Sequence, residues 1–145
     1  MIIKQISIFI ENKPGRLAQI TEIIAKNNIN MRALSLADTT NFGILRIIVD
    51  EPDKVEKILK ENEMTVSITN VISVCVEDRP GGLAEILKIL AKENIGIEYM
   101  YAFVSKENGE NIKNAGSAYV IMRIEEDLKA MEILQKAGYI GLNIE

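Results

Sequence analysis

Two stretches of the chain carry the residue types and spacing that a small-anion site requires. Glu11-Asn12-Lys13-Pro14-Gly15-Arg16-Leu17-Ala18-Gln19-Ile20 returns as Glu77-Asp78-Arg79-Pro80-Gly81-Gly82-Leu83-Ala84-Glu85-Ile86, with Leu17 mapping to Leu83, 66 residues on. In both copies an Ile/Val-rich strand pattern runs into Pro-Gly, and an amphipathic helix opens directly after it. The first turn of a helix has N–H groups without intrahelical partners and carries partial positive charge, which favours a carboxylate or another anion. Gly15 and Gly81 have no side chain and let a ligand approach the backbone closely. Gly82 extends that freedom in the second copy, whereas Arg16 places a cation in the first. Pro-Gly also serves simply to turn a chain from strand to helix, and duplication preserves turns as readily as sites.

The elements that position these junctions follow from hydrophobic period. Ile6, Ile8 and Ile10 alternate with polar or opposite-facing residues, the signature of a strand. Leu17, Ile20, Ile23 and Ile24 then form a stripe at helical spacing that ends at Asn27-Asn28. Asn30–Ala37 and Gly43–Asp50 read as strands joined by the turn at Thr39-Thr40-Asn41. Pro52 begins a second helix carrying Val55, Ile58 and Leu59, and Thr65–Thr69 closes the unit as a strand. The second half repeats the order, with Ile72, Val74 and Val76 in the places of Ile6, Ile8 and Ile10. Leu83, Ile86, Leu87 and Leu90 make its first helical stripe. Ile95–Val104 and Gly116–Ile124 are its middle strands, Leu128, Met131 and Leu134 mark its last helix, and Tyr139–Ile144 is a closing strand. The polar run Lys106–Asn114 has no counterpart in the first half.

Two β-α-β-β-α-β units, residues 1–70 and 71–145, therefore predict an α+β fold of two ferredoxin-like modules. Packed side by side, they would form an eight-stranded antiparallel sheet with helices on one face. Phe9 and its equivalent Cys75 fall on the open face beside Ser7 and Ser73. A unit of this size is near the lower limit of independent stability, so the halves are expected to share a buried surface.

Composition removes several functions. The chain of 145 residues has no histidine and one cysteine, so zinc sites, Cys–His nucleophilic pairs and the commonest general base are excluded. A formal charge of −4 argues against nucleic acid, which needs a concentrated basic face. No apolar run reaches the ~20 residues of a membrane span, and Met1–Gln5 reads as the start of a strand rather than a leader. The expectation is a cytoplasmic protein without cofactor or metal and with no enzymatic activity.

Further candidates lie in the strands. Tyr99, Tyr101 and Phe103 share one face by alternation, where the first half has Ala33, Ser35 and Ala37; they are either core or interface packing or the wall of a pocket. Arg32 and Arg46 sit on neighbouring strands and either receive an acidic effector or serve as paired surface arginines.

The Pro-Gly-x-Leu turn occurring twice, with Asn28-Ile29-Asn30-Met31 opening the strand that follows the first helix, resembles the ACT domain, and the whole chain resembles a tandem ACT protein. The resemblance implies a regulatory module that binds amino acids and associates in pairs. It places ligand where the strand–helix loop of one module meets the second strand of its partner. Asn12 and Asn30 match the two asparagines of the serine-sensing members, while Ile10 stands where those carry histidine, which puts serine specificity in doubt. Asp78 and Gly96 replace the asparagines in the second half, so the two sites are chemically unequal. The candidate ligand-binding residues are Asn12, Pro14, Gly15, Arg16, Leu17 and Asn30 in the first half. Asp78, Pro80, Gly81, Gly82, Leu83, Tyr99 and Tyr101 are those of the second. Asn12 and Asp78 can meet an amino acid's charged groups, and they are equally ordinary turn and capping residues. The expected partners are an amino acid or related small carboxylate, a second copy of the chain as a homodimer, and a regulated enzyme. The competing expectation is a protein-interaction module whose ligand sites have degenerated.

Overall fold

The computed structural model describes residues 1–38, 41–105 and 117–142. These form β1 (Ile2–Glu11), α1 (Arg16–Lys26), β2 (Met31–Asp38), β3 (Phe42–Val49), α2 (Pro52–Glu61), β4 (Thr65–Glu77), α3 (Gly82–Lys92), β5 (Tyr99–Ser105), β6 (Ser117–Arg123) and α4 (Asp127–Lys136). The run 106–114 and residues Thr39 and Thr40 of the expected turn lie outside the described residues. Among the described residues no helix is long and apolar enough to cross a membrane.

The chain divides into two compact units, one of Lys4–Thr69 and one of Met1–Ile3 with the chain from Asn70 onward. In the first, β1 pairs antiparallel with β3, setting Phe9 opposite Ile44 and Ile10 opposite Gly43. β3 pairs antiparallel with β2, setting Leu36 opposite Leu45. The alternation puts Ile6, Ile8 and Ile10 with Leu45, Ile47 and Val49 on one face, where they bury against Ile20 and Ile24 of α1 and Val55 and Leu59 of α2. Each such side chain contributes about 1.5–3 kcal/mol by leaving water. Asn28 ends the α1 segment in the left-handed region, φ 56°, which asparagine tolerates better than most residues. The opposite sheet face carries Gln5, Ser7 and Phe9. Gln5 is buried there and its Nε2 donates to Ser7 Oγ at 3.2 Å, so its amide is not stranded.

The second unit repeats the plan. The latter part of β4 pairs with β6, Val74 opposite Val120, and β6 pairs with β5. Ile72, Val74 and Val76 bury against Ile86, Leu90, Ala130 and Leu134. On the other edge of this β4 segment, Ser73 N–H donates to the Met1 carbonyl at 2.8 Å and Cys75 N–H to the Ile140 carbonyl at 2.8 Å. Leu142 N–H donates to the buried Ser73 Oγ at 3.1 Å.

The strand count differs from the sequence expectation. Among the described residues six strands, β2-β3-β1 in the first unit and β4-β6-β5 in the second, stand where eight were expected. One cause is that Thr65–Thr69 and the strand after it run on without a break as the 13-residue β4. The other is that residues 139–142 take single bonds from β4 rather than a ladder, while 143 and 144 lie outside the described residues. β2 and β5 are the outermost strands of this order.

Candidate ligand-binding site

The two Pro-Gly turns have one backbone. Gly15 and Gly81 sit at φ 87° and 86°, the left-handed region open to glycine at no steric cost, and each precedes the first residue of its helix. Lys13 N–H donates to the Glu11 carbonyl and Arg79 N–H to that of Glu77, both at 2.9 Å. Gln19 N–H reaches the Gly15 carbonyl at 3.0 Å and Glu85 N–H that of Gly81 at 3.1 Å. Neither helix has a side-chain cap at this position, so Asn12 and Asp78 do not serve as its N-cap. Asn12 instead anchors the loop through its backbone, donating its N–H to the Asn41 carbonyl at 2.9 Å.

The side chains divide the two turns. In the first unit the turn borders a cavity of about 310 Å³. Its polar wall is Glu11, Asn12, Lys13 and Arg16, and its apolar wall is Ile10, Pro14, Leu17 and Leu36, with Gly43 between Leu36 and Ile10. Leu17 belongs to the helical stripe yet stays 40% exposed, because its turn of α1 lies over the cavity and not over the core. Glu11 Oε2 lies 2.8 Å from Lys13 Nζ and 3.9 Å from Arg16 Nη2. The Lys13 hydrogen bond and charge, with a smaller contribution from Arg16, hold the Glu11 carboxyl below the usual carboxylate range, so it is anionic at neutral pH.

In the second unit the equivalent groups close on one another. Arg79 bonds Glu77 through Nε and takes both Glu85 carboxylate oxygens with Nη2 at 2.9 Å, a two-sided clamp over the turn. Gly82 is buried, and a Cβ placed on it would come within 2.5 Å of the Glu77 carbonyl oxygen. Tyr139 lies half-buried near this cluster; burial, then the Glu85 charge, push its hydroxyl above the usual tyrosine range.

Within each unit several expected site residues stand apart. Asn30 precedes β2, whose first residue Met31 pairs with Val49, whereas Asp38 at the other end pairs with Gly43 beside the cavity. Seven residue-to-residue steps separate the two ends, roughly 23 Å at ~3.3 Å per step. Tyr99 and Tyr101 share their face with Tyr119 and Ile121, away from the helices, and Tyr99 pairs with Arg123 at the end of β5 remote from the turn. Phe103 stacks on Tyr119 with ring centroids 5.4 Å apart, which is packing. Arg32 donates from Nε to Asp50 at 2.6 Å. Ile10, Glu11, Lys13, Leu36 and Gly43 also line the cavity, beyond the residues expected from the sequence. Leu36 and Gly43 gave a signal only through register, since their strands end beside Ile10.

Among the described residues, no group of three or more His, Cys, Asp or Glu side chains could hold a metal ion.

A strand–helix–strand–strand–helix order that occurs twice, with an open cavity at one strand–helix turn and a clamped turn at the other, defines a paired, ACT-like α+β module. The chain belongs to the ACT domain pair family, whose pattern it matches over residues 1–134. It is similar to protein BT0572 from Bacteroides thetaiotaomicron, with 42% identity, a TM-score of 0.88, and coverage of 98% of this chain and 92% of that one. The regulatory subunit of aspartate kinase from Thermus thermophilus, in ligand-free form, shares the fold at 15% identity and a TM-score of 0.63, covering 94% of this chain and 97% of that one. The same subunit from Thermus flavus aligns at 13% identity and a TM-score of 0.61, covering 95% of each chain. No curated protein matches.

Proposed function

We propose that the protein is a non-catalytic regulatory module that binds an amino acid at the first Pro-Gly turn. The observation that carries this reading is the cavity of about 310 Å³ bordered by Asn12, Pro14, Gly15, Arg16 and Leu17. Its volume is at the small end of the roughly 300–1,000 Å³ typical of small-molecule sites. It combines the first turn of a helix, two cations and one anion with an apolar wall. Shared fold with the aspartate kinase regulatory subunits supports a regulatory role, and the regulated partner would be an enzyme of amino-acid metabolism.

The site would be completed by a second copy of the chain. β2 is outermost in its sheet, and Leu34 and Leu36 on it are 59% and 44% exposed. An edge strand with bare backbone groups and apolar side chains is a template for strand addition. If two β2 strands pair antiparallel about a twofold axis, the Met31 end of one meets the Asp38 end of the other. That arrangement sets Asn30 of the second copy beside Asn12 and Gly15 of the first, and it extends the sheet side by side across the two chains. Ligand that binds only the paired state then stabilises it by mass action, and regulation follows from different affinities in two states.

The second turn supports a different reading, a site kept closed by its own side chains. Arg79 is engaged by Glu77 and Glu85 where a ligand carboxylate would sit, and Gly82 brings the helix start down onto the strand end.

Thermal stability against a panel of amino acids and 2-oxo acids, with calorimetry on each hit, tests the proposal. Binding that raises the melting temperature and disappears in Gly15→Asp, but persists in Gly81→Asp, is the expected result. Aspartate tolerates the left-handed backbone better than most residues, so the substitution acts chiefly through bulk and charge. No stabilisation by any compound at millimolar concentration would refute it.

A further inference from the structure

We propose that the cavity at Pro14-Gly15 selects an amino acid with an apolar side chain, reading the ammonium with Glu11, the carboxylate with Arg16, and the side chain with Ile10, Leu17 and Leu36. This rests on the reading of the cavity as an effector site and names the chemical class it would take.

Three features of the lining carry the inference. First, Arg16 and Glu11 face each other without closing. Arg16 Nη2 stands 3.9 Å from Glu11 Oε2, beyond hydrogen-bond distance, and Lys13 addresses that same oxygen at 2.8 Å. Glu11 Oε1 takes no part in those two pairs. An α-amino acid carries its own opposite charges one carbon apart, so it can slide between Arg16 and Glu11 and exchange one loose pair for two charge-assisted hydrogen bonds. A simple monocarboxylate meets only half of this arrangement and faces repulsion from Glu11.

Second, the rest of the wall is aliphatic. Ile10, Leu17 and Leu36 offer no donor or acceptor to a ligand side chain, and Leu17 and Leu36 are 40% and 44% exposed as they stand. A hydrophobic side chain laid on them removes apolar surface from water on both partners. An ω-carboxylate or ω-ammonium at the same place would be desolvated without a partner.

Third, the space is set by a missing side chain. A Cβ on Gly43 would stand 3.3 Å from both the Ala37 carbonyl oxygen and Leu36 Cδ1, and 3.6 Å from Ile10 Cγ1, so glycine leaves the space between these groups open. Larger residues there would close the apolar end first.

Calorimetry on the full chain with leucine, valine, methionine and phenylalanine, against serine, aspartate and lysine, tests the selection. Isocaproate and isoamylamine, which are leucine without its ammonium and without its carboxylate, test the charge reading. The apolar amino acids should bind at least about tenfold more tightly than the polar ones, and each analogue at least about tenfold more weakly than leucine. Glu11→Gln should weaken leucine about tenfold while leaving or improving isocaproate, a contrast that general loss of structure cannot produce. Preference for serine, aspartate or lysine would overturn the inference. So would equal binding of the analogues, or an equal effect of Glu11→Gln on leucine and isocaproate. A polar amino acid whose binding is abolished by Gly15→Asp would leave the effector reading standing and remove the selection alone. Silence of every amino acid would remove both.

Discussion

Replacing Gly82 by alanine adds one methyl group at the point where the second turn is tightest. The new Cβ would lie 2.5 Å from the Glu77 carbonyl oxygen and 3.6 Å from its carbon, against the 3.4 Å or more of ordinary contact. The obstacle is backbone, so no rotamer change relieves it. Glu77 is the last residue of the β4–β6 ladder, opposite Ser117, and backing away by about 0.9 Å strains that pair or tilts the start of α3. Overpacking of this kind costs about 1–3 kcal/mol. At roughly 2–4 °C per kcal/mol for a chain near this length, a 2 kcal/mol loss lowers the melting temperature by about 4–8 °C. Calorimetric melting of Gly82→Ala beside Gly96→Ala isolates the effect, because a Cβ on Gly96 meets nothing within 4 Å. The control should melt within about 2 °C of the parent, and a reduced unfolded-state entropy can place it slightly above. Equal melting temperatures for the parent and Gly82→Ala would refute the account of why the two turns differ.

Four other outcomes follow from the same geometry. Lys13→Gln should let the Glu11 carboxyl titrate closer to the ordinary glutamate range, seen by NMR of the side-chain carboxyl. Because the folded value is depressed, the stabilisation by this pair is present above the unfolded pKa and is lost as pH falls through the folded one. Arg79→Gln should raise the Tyr139 hydroxyl further, since the guanidinium now opposes the rise; alkaline absorbance titration reads it. With a raised folded pKa, the Tyr139 contribution to stability is complete below the unfolded value and declines as pH climbs through the folded one. Leu59→Ala, fully buried between α2 and the sheet, should cost about 2–5 kcal/mol in chemical denaturation. Leu34→Lys should leave folding intact but abolish pairing of two chains along β2 in light scattering; an unchanged mass for a chain that does pair would exclude that edge.

Much of this fold could be read in the order of residues because its core is strictly periodic. Ile6, Ile8 and Ile10 repeat as Ile72, Val74 and Val76, and a period of two allows only one facing once helices must cover the apolar side. Ile20 with Ile24 and Ile86 with Leu90 fix those helices in the same way. Strand boundaries were less legible: Thr65–Glu77 contains no glycine or proline, so nothing local marks where one unit gives way to the next. At the site, the Pro-Gly turns were visible because only glycine takes φ near 87° without cost. The aliphatic wall was not. Leu36 and Gly43 reach the cavity through pairing register, which no local pattern encodes. The closing of the second turn depends on Arg79 folding back to Glu85, and its cue was the exchange of Gln19 for Glu85 with Lys13 for Arg79.

Ile2 and Ile3 open β1, yet with Met1 they belong to the unit that is otherwise built from Asn70 onward, the Met1 carbonyl accepting from Ser73 N–H. During synthesis, residues 1–3 leave the ribosome some seventy positions ahead of the strand that receives them. Folding of the first unit as it emerges therefore precedes the arrival of the strand that residues 1–3 meet. A fragment cut at Thr69 would carry residues 1–3 unused, and its complement would lack the Met1 carbonyl that meets Ser73. The fragment from Asn70 should therefore be less stable alone than its unit is in the whole chain, and bulk added at Met1 should burden the half of the protein farthest from it in sequence.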